Sequence, residues 1–321
     1  MTAPVLILAH RRPDLVQRVM QSVAAARPRR IFLACDGPRT DRVGDQELVA
    51  ATRAALEAGI TWDADVERRY LEENLGCRRA VETAITWFFE HVDAGIILED
   101  DCLPNQDFFA FCTELLERFA DDPSVMQIAG DNSTRISPFR TNADYFFIRR
   151  TPIWGWATWR RAWEKYDWGL KGYTSQDIDF RRVYPNPQER RMRNRVLSKI
   201  AQGRGLDTWD FIWSWSVSRA FGMSVVPSVN LVSNIGFGSG ATHTTATQNS
   251  RAAVPTERIM PLRHPRRVGP SFVAERQFLR RAHGLPSGLR VRKRMRRALG
   301  FGLRVAVSAS HRYRSRFRIG G

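Results

Sequence analysis

Short apolar runs alternate with amphipathic segments through the first half of the chain, and this alternation leaves few folds open to it. Residues 5–9, 31–35, 66–70 and 95–98 read as strands, with residues 125–129 as a candidate fifth. Between them, Pro13–Ala26 spaces Leu15, Val19 and Val23 four residues apart, and Gly76–His91 sets Val81, Ile85 and Phe88 on one face. That is the spacing of helices packed on a sheet. Strand–helix–strand alternation produces parallel strand pairs, so the expected fold is α/β, with a mainly parallel central sheet flanked by helices. In such a sheet ligands bind beyond the carboxyl ends of the strands. Residues 9–11, Asp36 and residues 99–101 are therefore expected to converge on one edge.

Composition narrows the class. With 321 residues, 43% of them hydrophobic and 26% charged, the chain has material for a sizeable core and is neither disordered throughout nor a disulfide-dense miniature scaffold. No stretch approaches the roughly 20 apolar residues of a spanning helix, and no basic segment precedes a long apolar run at the start. Neither a membrane span nor a signal peptide is expected. Cys35, Cys77, Cys102 and Cys112 show no CxxC or CxxH spacing, which argues against a zinc site and a disulfide framework and makes a reducing cytoplasm the default.

The net charge of +17 suggests a nucleic-acid binder until it is located. Residues 276–321 hold 14 Arg or Lys and no Asp or Glu, which leaves +3 for the first 275 residues. Only this tail calls for a polyanion. Leu289, Val291, Leu299, Phe301 and Leu303 are mixed among its arginines, a pattern that fits an interfacial helix on an anionic membrane surface, where each basic residue contributes about 1 kcal/mol before screening. A disordered basic extension has the same composition. Nucleic acid is not the expected partner of the body.

Eight of the ten tryptophans lie between residues 154 and 215. An indole offers a flat apolar face with one polar N–H, which suits core packing or a wall for a sugar ring. In the same region residues 188–202 and 208–220 read as helices, and residues 233–247 as a loop rich in Gly, Ser and Thr. After about residue 255 the pattern weakens.

The sharpest motif is Ile96-Ile97-Leu98-Glu99-Asp100-Asp101, a buried strand that delivers three consecutive carboxylates to the sheet edge. Acids there are costly unless a cation or hydrogen bonds satisfy them. Oxygen ligands suit Mg²⁺ or Mn²⁺, which one or two carboxylates together with substrate phosphates commonly hold. The alternative is an acidic cluster opening the helix at residues 108–119. Asp107 is better placed to cap that helix, so the three carboxylates are surplus to it.

This strand end, followed by Cys102-Leu103-Pro104-Asn105-Gln106-Asp107-Phe108-Phe109, resembles the metal-binding turn of GT-A-fold glycosyltransferases, specifically the inverting N-acetylglucosaminyltransferase I-like group. That group's version reads Glu-Asp-Asp followed by Pro-Asp-Phe-Phe. Pro4-Val5-Leu6-Ile7-Leu8-Ala9 with Arg11, and Asp36 closing the second strand, are similar to its first two strands; Gly155-Trp156, Trp209-Asp210, Pro227 and residues 236–240 follow in its order. The resemblance spans about residues 4–245. It implies a catalytic domain over residues 1–255, with a nucleotide-binding half to residue 130 and an acceptor-binding half beyond it, and a basic extension from residue 256.

The resemblance also implies roles. Asp101 would ligate Mn²⁺ or Mg²⁺ on the diphosphate of a nucleotide-sugar donor, UDP-linked by analogy, while Glu99 and Asp100 hold ribose or sugar hydroxyls. Arg11 would meet the phosphates, unless it is a surface arginine beside Arg12. Asp36 would accept from the base, unless it serves the turn before Gly37-Pro38. Asp210 matches the family's base, which takes the proton of the acceptor hydroxyl. Asp207 is its rival, and either has the alternative of capping the next helix. His243 is a candidate metal ligand or a solvated loop histidine. Arg78, with Gly76 and Arg79, opens a helix whose dipole suits phosphate or base. Trp154, Gly155 and Trp156 form a candidate wall for a glycan or lipid-linked acceptor, and the enzyme would sit in the cytoplasm or on the inner membrane face. A sugar-phosphate nucleotidyltransferase would need a glycine-rich phosphate loop after the first strand, and Ala9-His10-Arg11-Arg12-Pro13 contains no glycine.

Overall fold

The computed structural model describes residues 1–138, 142–174, 178–205, 207–237 and 253–285. Its first third is built of β1 (Val5–Ala9), α1 (Pro13–Ala26), β2 (Arg30–Cys35), α2 (Asp45–Ala58), β3 (Asp65–Tyr70), α3 (Gly76–His91) and β4 (Ala94–Glu99). These strands pair in parallel in the order β3-β2-β1-β4. Every residue of β1 is buried, and its side chains alternate between two cores. Val5, Ile7 and Ala9 face the layer containing α1 and α2, whereas Leu6 and Leu8 face the layer of α3 and the later helices. A strand covered on both faces needs an uninterrupted apolar run, and Val5-Leu6-Ile7-Leu8-Ala9 supplies one. The α/β fold with a mainly parallel sheet flanked by helices is thus observed.

The chain continues through β5 (Cys102–Pro104), α4 (Gln106–Arg118), β6 (Val125–Ala129), β7 (Tyr145–Ile148), β8 (Trp156–Trp159) and the short α5 (Arg160–Trp163). Then follow α6 (Ile178–Val183), α7 (Pro187–Ala201), α8 (Asp210–Arg219), β9 (Met223–Pro227), β10 (Val232–Asn234) and α9 (Phe272–His283). The central sheet has eight strands in the order β3-β2-β1-β4-β8-β6-β9-β7. Here β8 runs antiparallel between β4 and β6, with Ile97 opposite Trp156. The tryptophan-rich middle is therefore largely core. Trp156, Trp213 and Trp215 are fully buried, and Trp156 stacks on Trp209 with centroids 5.5 Å apart.

Two expectations are corrected. The cap of α4 is Asn105, whose side chain accepts from the Phe108 N–H at 3.0 Å. Asp107 instead accepts from the backbone N–H groups of Ile259 and Met260, at 2.7 and 3.1 Å. The expected break at residue 256 also falls inside a docked segment. Arg263 forks onto Asp144, Arg149 onto Glu275, and Ala274 and Phe278 of α9 join a core cluster with Ile136, Phe146, Ile148 and Val226. The packed body therefore reaches residue 285. The arginine-rich remainder of the tail, residues 286–321, lies outside the described residues. Among the described residues no helix is long and apolar enough to cross a membrane, and all four cysteines are free.

Candidate active site

The carboxyl ends of β1, β2 and β4 meet through a connected set of hydrogen bonds. Asp36 donates its N–H to the Ala9 carbonyl at 3.2 Å, and the His10 N–H reaches Asp100 Oδ2 at 3.3 Å. Residues 9–11, Asp36 and the three carboxylates thus occupy one edge. Asp36 is buried, and its Oδ1 accepts from the Gly37 and Leu75 N–H groups while Oδ2 accepts from Asn74 Nδ2, each at 2.9 Å. Burial pushes its carboxyl up, and the N–H donors oppose that shift. Its visible work is to clip the loop before α3 to the end of β2. A Cβ on Gly37 would lie 2.4 Å from the Glu73 carbonyl carbon, so this approach requires glycine.

The carboxylate turn follows from the position of β4. Flanked by β1 and β8, its apolar residues are buried up to Leu98, and the chain then turns out with Glu99 half-buried, Asp100 buried and Asp101 partly open. Burial and the carboxylates of Asp101, Asp100 and Asp210 push Glu99 well above the usual carboxylate range, while burial, opposed by Arg12, and the Asp101 charge bring Asp100 up to about 6. One cation answers three acids. Arg12 Nη1 lies 3.1 Å from Asp100 Oδ1 and 2.8 Å from Asp101 Oδ2. From the other side Asn234 Nδ2 donates to Asp101 Oδ1 at 3.2 Å, and a Cβ on Gly236 would fall 2.1 Å from Asp101 Oδ2.

The arginine at the turn is therefore Arg12. Arg11, expected there from the sequence, turns away and places Nε 3.0 Å from Oδ1 of the buried Asp45 at the start of α2. The distinguishing signal is Pro13. It occupies the first helical position and makes Arg12 the residue at the cap of α1, over the sheet edge.

On the far side of the turn, α8 starts at Asp210, which is half-buried and accepts from Thr208 Oγ1. Its charge acts on Glu99. Asp207 is exposed and lies against the start of α3, where a Cβ on Gly76 would come 2.6 Å from its Oδ2. Neither aspartate caps α8, whose N-cap is Trp209 without a side-chain bond. Arg78 is half-buried on α3, its Nε has no hydrogen-bond partner, and its charge acts on Glu82 and Tyr166.

The expected tryptophan wall divides. Trp154 is half-buried and meets Phe237 edge to face at 5.6 Å. Gly155 has φ +64°, and a Cβ there would lie 2.7 Å from Val232 Cγ2. Trp156 is fully buried in the core, so it offers no face to an acceptor. His243 and residues 238–240 lie outside the described residues. A pocket of about 180 Å³ opens beside Asp210, lined also by Asp131, Trp154, Arg193, Ser214 and Phe278. The last of these belongs to α9, and nothing in the sequence pattern links it to the site. A larger groove of about 480 Å³ lies at the opposite sheet edge, among Pro4, Ala94 and Trp159, away from these groups.

The donor set suits a hard cation. Carboxylate oxygens are its only charged components, and a single guanidinium leaves them under-neutralised. Among the described residues, no group of three or more His, Cys, Asp or Glu side chains is placed to hold a metal ion. Ligation by one or two carboxylates with the rest supplied by substrate is the mode available.

No protein-family model matches the chain, and no curated protein does. Several solved structures resemble it at low identity. HddC from Yersinia pseudotuberculosis shares 16% identity over 39% of this chain and 56% of its own, with a TM-score of 0.27. An apo UDP-glucose pyrophosphorylase shares 8% over 71% and 90%, with a TM-score of 0.36. The glycosyltransferase GlyE of Streptococcus pneumoniae TIGR4 shares 12% over 70% and 45%, with a TM-score of 0.31. This chain therefore spans little more than half of HddC and less than half of GlyE. None of the three is described as an N-acetylglucosaminyltransferase, and likeness of this depth assigns neither substrate nor residue roles.

Proposed function

We propose that the chain is a glycosyltransferase that moves a sugar from a nucleoside-diphosphate sugar, UDP-linked, to a hydroxyl of a glycan or lipid-linked acceptor. One observation carries the reading. Asp210 acts electrostatically on Glu99 of the carboxylate turn and also lines the pocket beside Trp154. A base in that position has the donor on one side and room for an acceptor on the other.

The donor enters beyond β1, β2 and β4, with its diphosphate toward Arg12 and the carboxylate turn. Asp101, with Asp100 beside it, would hold Mn²⁺ or Mg²⁺, whose chemistry is Lewis-acid stabilisation of charge on the nucleoside diphosphate. Glu99 and Asp100 accept from sugar or ribose hydroxyls, and Asp36, which clips the loop before α3, lies on the side where the base enters. Asp210 takes the proton of the acceptor hydroxyl as its oxygen bonds to C1 of the donor sugar. The C1–O bond to the diphosphate breaks and its electron pair leaves on the nucleoside diphosphate. Attack opposite the leaving group inverts C1.

Calorimetric titration with UDP and GDP, with and without Mn²⁺, tests this reading. Metal-dependent UDP binding that Asp101→Ala abolishes is expected. Absence of binding to either nucleotide under every metal condition overturns it.

A further inference from the structure

The positive charge of the body is gathered on one surface. Residues 171–204 hold nine Arg or Lys and three acids, a surplus of six, whereas the first 275 residues together carry only +3. One of those acids, Glu189, is buried and bound to Arg150 Nη2 at 2.6 Å. On α7, Arg191, Arg195 and Lys199 follow at intervals of four and are all exposed, so they form one stripe along its outer face. Among the described residues none of the three has an ion-pair partner. Leu197 and Ile200 of the same helix belong to one core cluster with Trp215 and Val217 of α8, and Arg193 is buried beside the pocket at Asp210. α7 thus turns one side to the core and a cationic side to solvent.

Two exposed aromatic rings border this face. Trp168, in the turn Trp168–Leu170, is 42% exposed, and Phe221, just past the end of α8, 48%. The turn leads to Tyr173, whose hydroxyl lies 2.9 Å from Ser198 Oγ on α7, and Arg219 Nη1 lies 3.9 Å from Asp167 Oδ2, which joins the turn to the end of α8. Arg182 of α6, itself exposed, places its guanidinium carbon 4.8 Å from the Phe221 centroid. The backbone marks Phe221 further. The Gly222 N–H donates to the Val217 carbonyl at 2.9 Å and the Phe221 N–H to the Ser218 carbonyl at 3.0 Å, a Schellman closure whose left-handed residue is usually glycine. Here that residue is Phe221, at φ +55°. A bulky side chain is strained there, and with half its surface in water burial returns little of that cost.

Cations bordered by aromatic rings fit the headgroup zone of an anionic bilayer, where the rings take the interface and the cations the lipid phosphates. Nucleic acid calls for the same charge, but stacking on bases needs open ring faces, and Arg182 already occupies a face of Phe221. We propose that α6, α7, the Trp168 turn and the end of α8 form a docking face for an anionic membrane surface, with Arg182, Arg191, Arg195 and Lys199 on lipid phosphates and Trp168 and Phe221 in the interface. The face is drawn from the packed body and not from residues 286–321, and none of its residues belongs to the proposed donor or acceptor site.

The test uses the full chain and measures cosedimentation with vesicles of phosphatidylcholine, alone or with about 30 mol% phosphatidylglycerol. The anionic vesicles are expected to bind at least about tenfold more tightly. The triple variant Arg191→Gln, Arg195→Gln, Lys199→Gln is expected to lose about a hundredfold in that affinity, since each cation near the surface contributes about fivefold. Phe221→Gly is expected to weaken the same binding several-fold while the melting temperature holds or rises, because glycine relieves the left-handed strain. Equal binding to both vesicles overturns the proposal. Anionic binding that survives in the folded triple variant also overturns it and assigns the affinity to residues elsewhere in the chain. Loss of binding to a single-stranded RNA homopolymer in the triple variant, with vesicle binding retained, overturns it as well and marks the face as a nucleic-acid surface. Should the triple variant not fold, Phe221→Gly decides, and unchanged vesicle affinity in that variant overturns the proposal.

Discussion

Arg12 Nη1 lies 2.8 Å from Asp101 Oδ2, and 3.1 Å from Asp100 Oδ1, so one guanidinium nitrogen serves two acids. A partly buried pair broken from one side leaves uncompensated charge. Arg12→Gln should lower stability by about 1–3 kcal/mol, read as a fall in the urea midpoint. Because the vacated acids then attract a divalent cation more strongly, Mn²⁺ should raise the melting temperature of the variant more than that of the wild type. An equal rise in both would show that Arg12 and the cation do not compete.

Asp210→Asn keeps the shape of the side chain and removes its basicity. Transfer should fall by about 10²–10⁴-fold, with metal-dependent UDP binding retained and the melting temperature little changed. Asp207→Asn should retain most of the rate. If the two variants exchange these behaviours, the base has been misassigned.

Gly155→Ala puts a Cβ at a position with φ +64° and 2.7 Å from Val232 Cγ2. Left-handed backbone and overpacking each cost about 1–3 kcal/mol, so the denaturation midpoint should shift markedly. Gly169→Ala, also at positive φ (+69°) with nothing near the added carbon, should show the backbone penalty alone. The difference between the two variants measures the steric part.

Asp144 ties the segment leading to α9 onto the body. The Arg263 side chain holds its carboxyl below the usual value. A depressed carboxylate stabilises the fold above its unfolded value, and the contribution is lost as pH falls through the lower, folded one. The Arg263 N–H, which donates to Asp144 Oδ2 at 2.7 Å, should therefore lose hydrogen-exchange protection in that acidic window. Asp144→Asn should lose it at neutral pH as well and show no further change on acidification.

The parallel half of the sheet was legible because β1, and β4 up to Leu98, are buried on both faces and must be apolar there. α2 was less so. It buries Val49, Thr52 and Leu56, and alanines fill much of the rest, which blurs an amphipathic period. The strand β8 reads Trp-Ala-Thr-Trp, a short buried run that periodicity does not distinguish from helix. The carboxylate turn announced itself because three acids at the end of an apolar strand have no cheap structural use. Arg193, Ser214 and Phe278 carried no such signal. Their proximity depends on how α7, α8 and α9 pack, and their residue types are ordinary on any helix.

The reversed direction of β8 bears on how such a site diversifies. In an all-parallel sheet the carboxyl edge receives only loops leaving strands. Because β8 runs the other way, with Ile97 opposite Trp156, the loop entering it brings Trp154 to the edge where β4 delivers Glu99. In the proposed reaction the donor grip is drawn from residues 9–101 and the acceptor grip from a later, separately connected stretch. Under that proposal, exchange of residues 151–154 changes what docks opposite the carboxylates while the hydrogen bonds holding β4 stay in place, so selectivity on its two sides drifts independently.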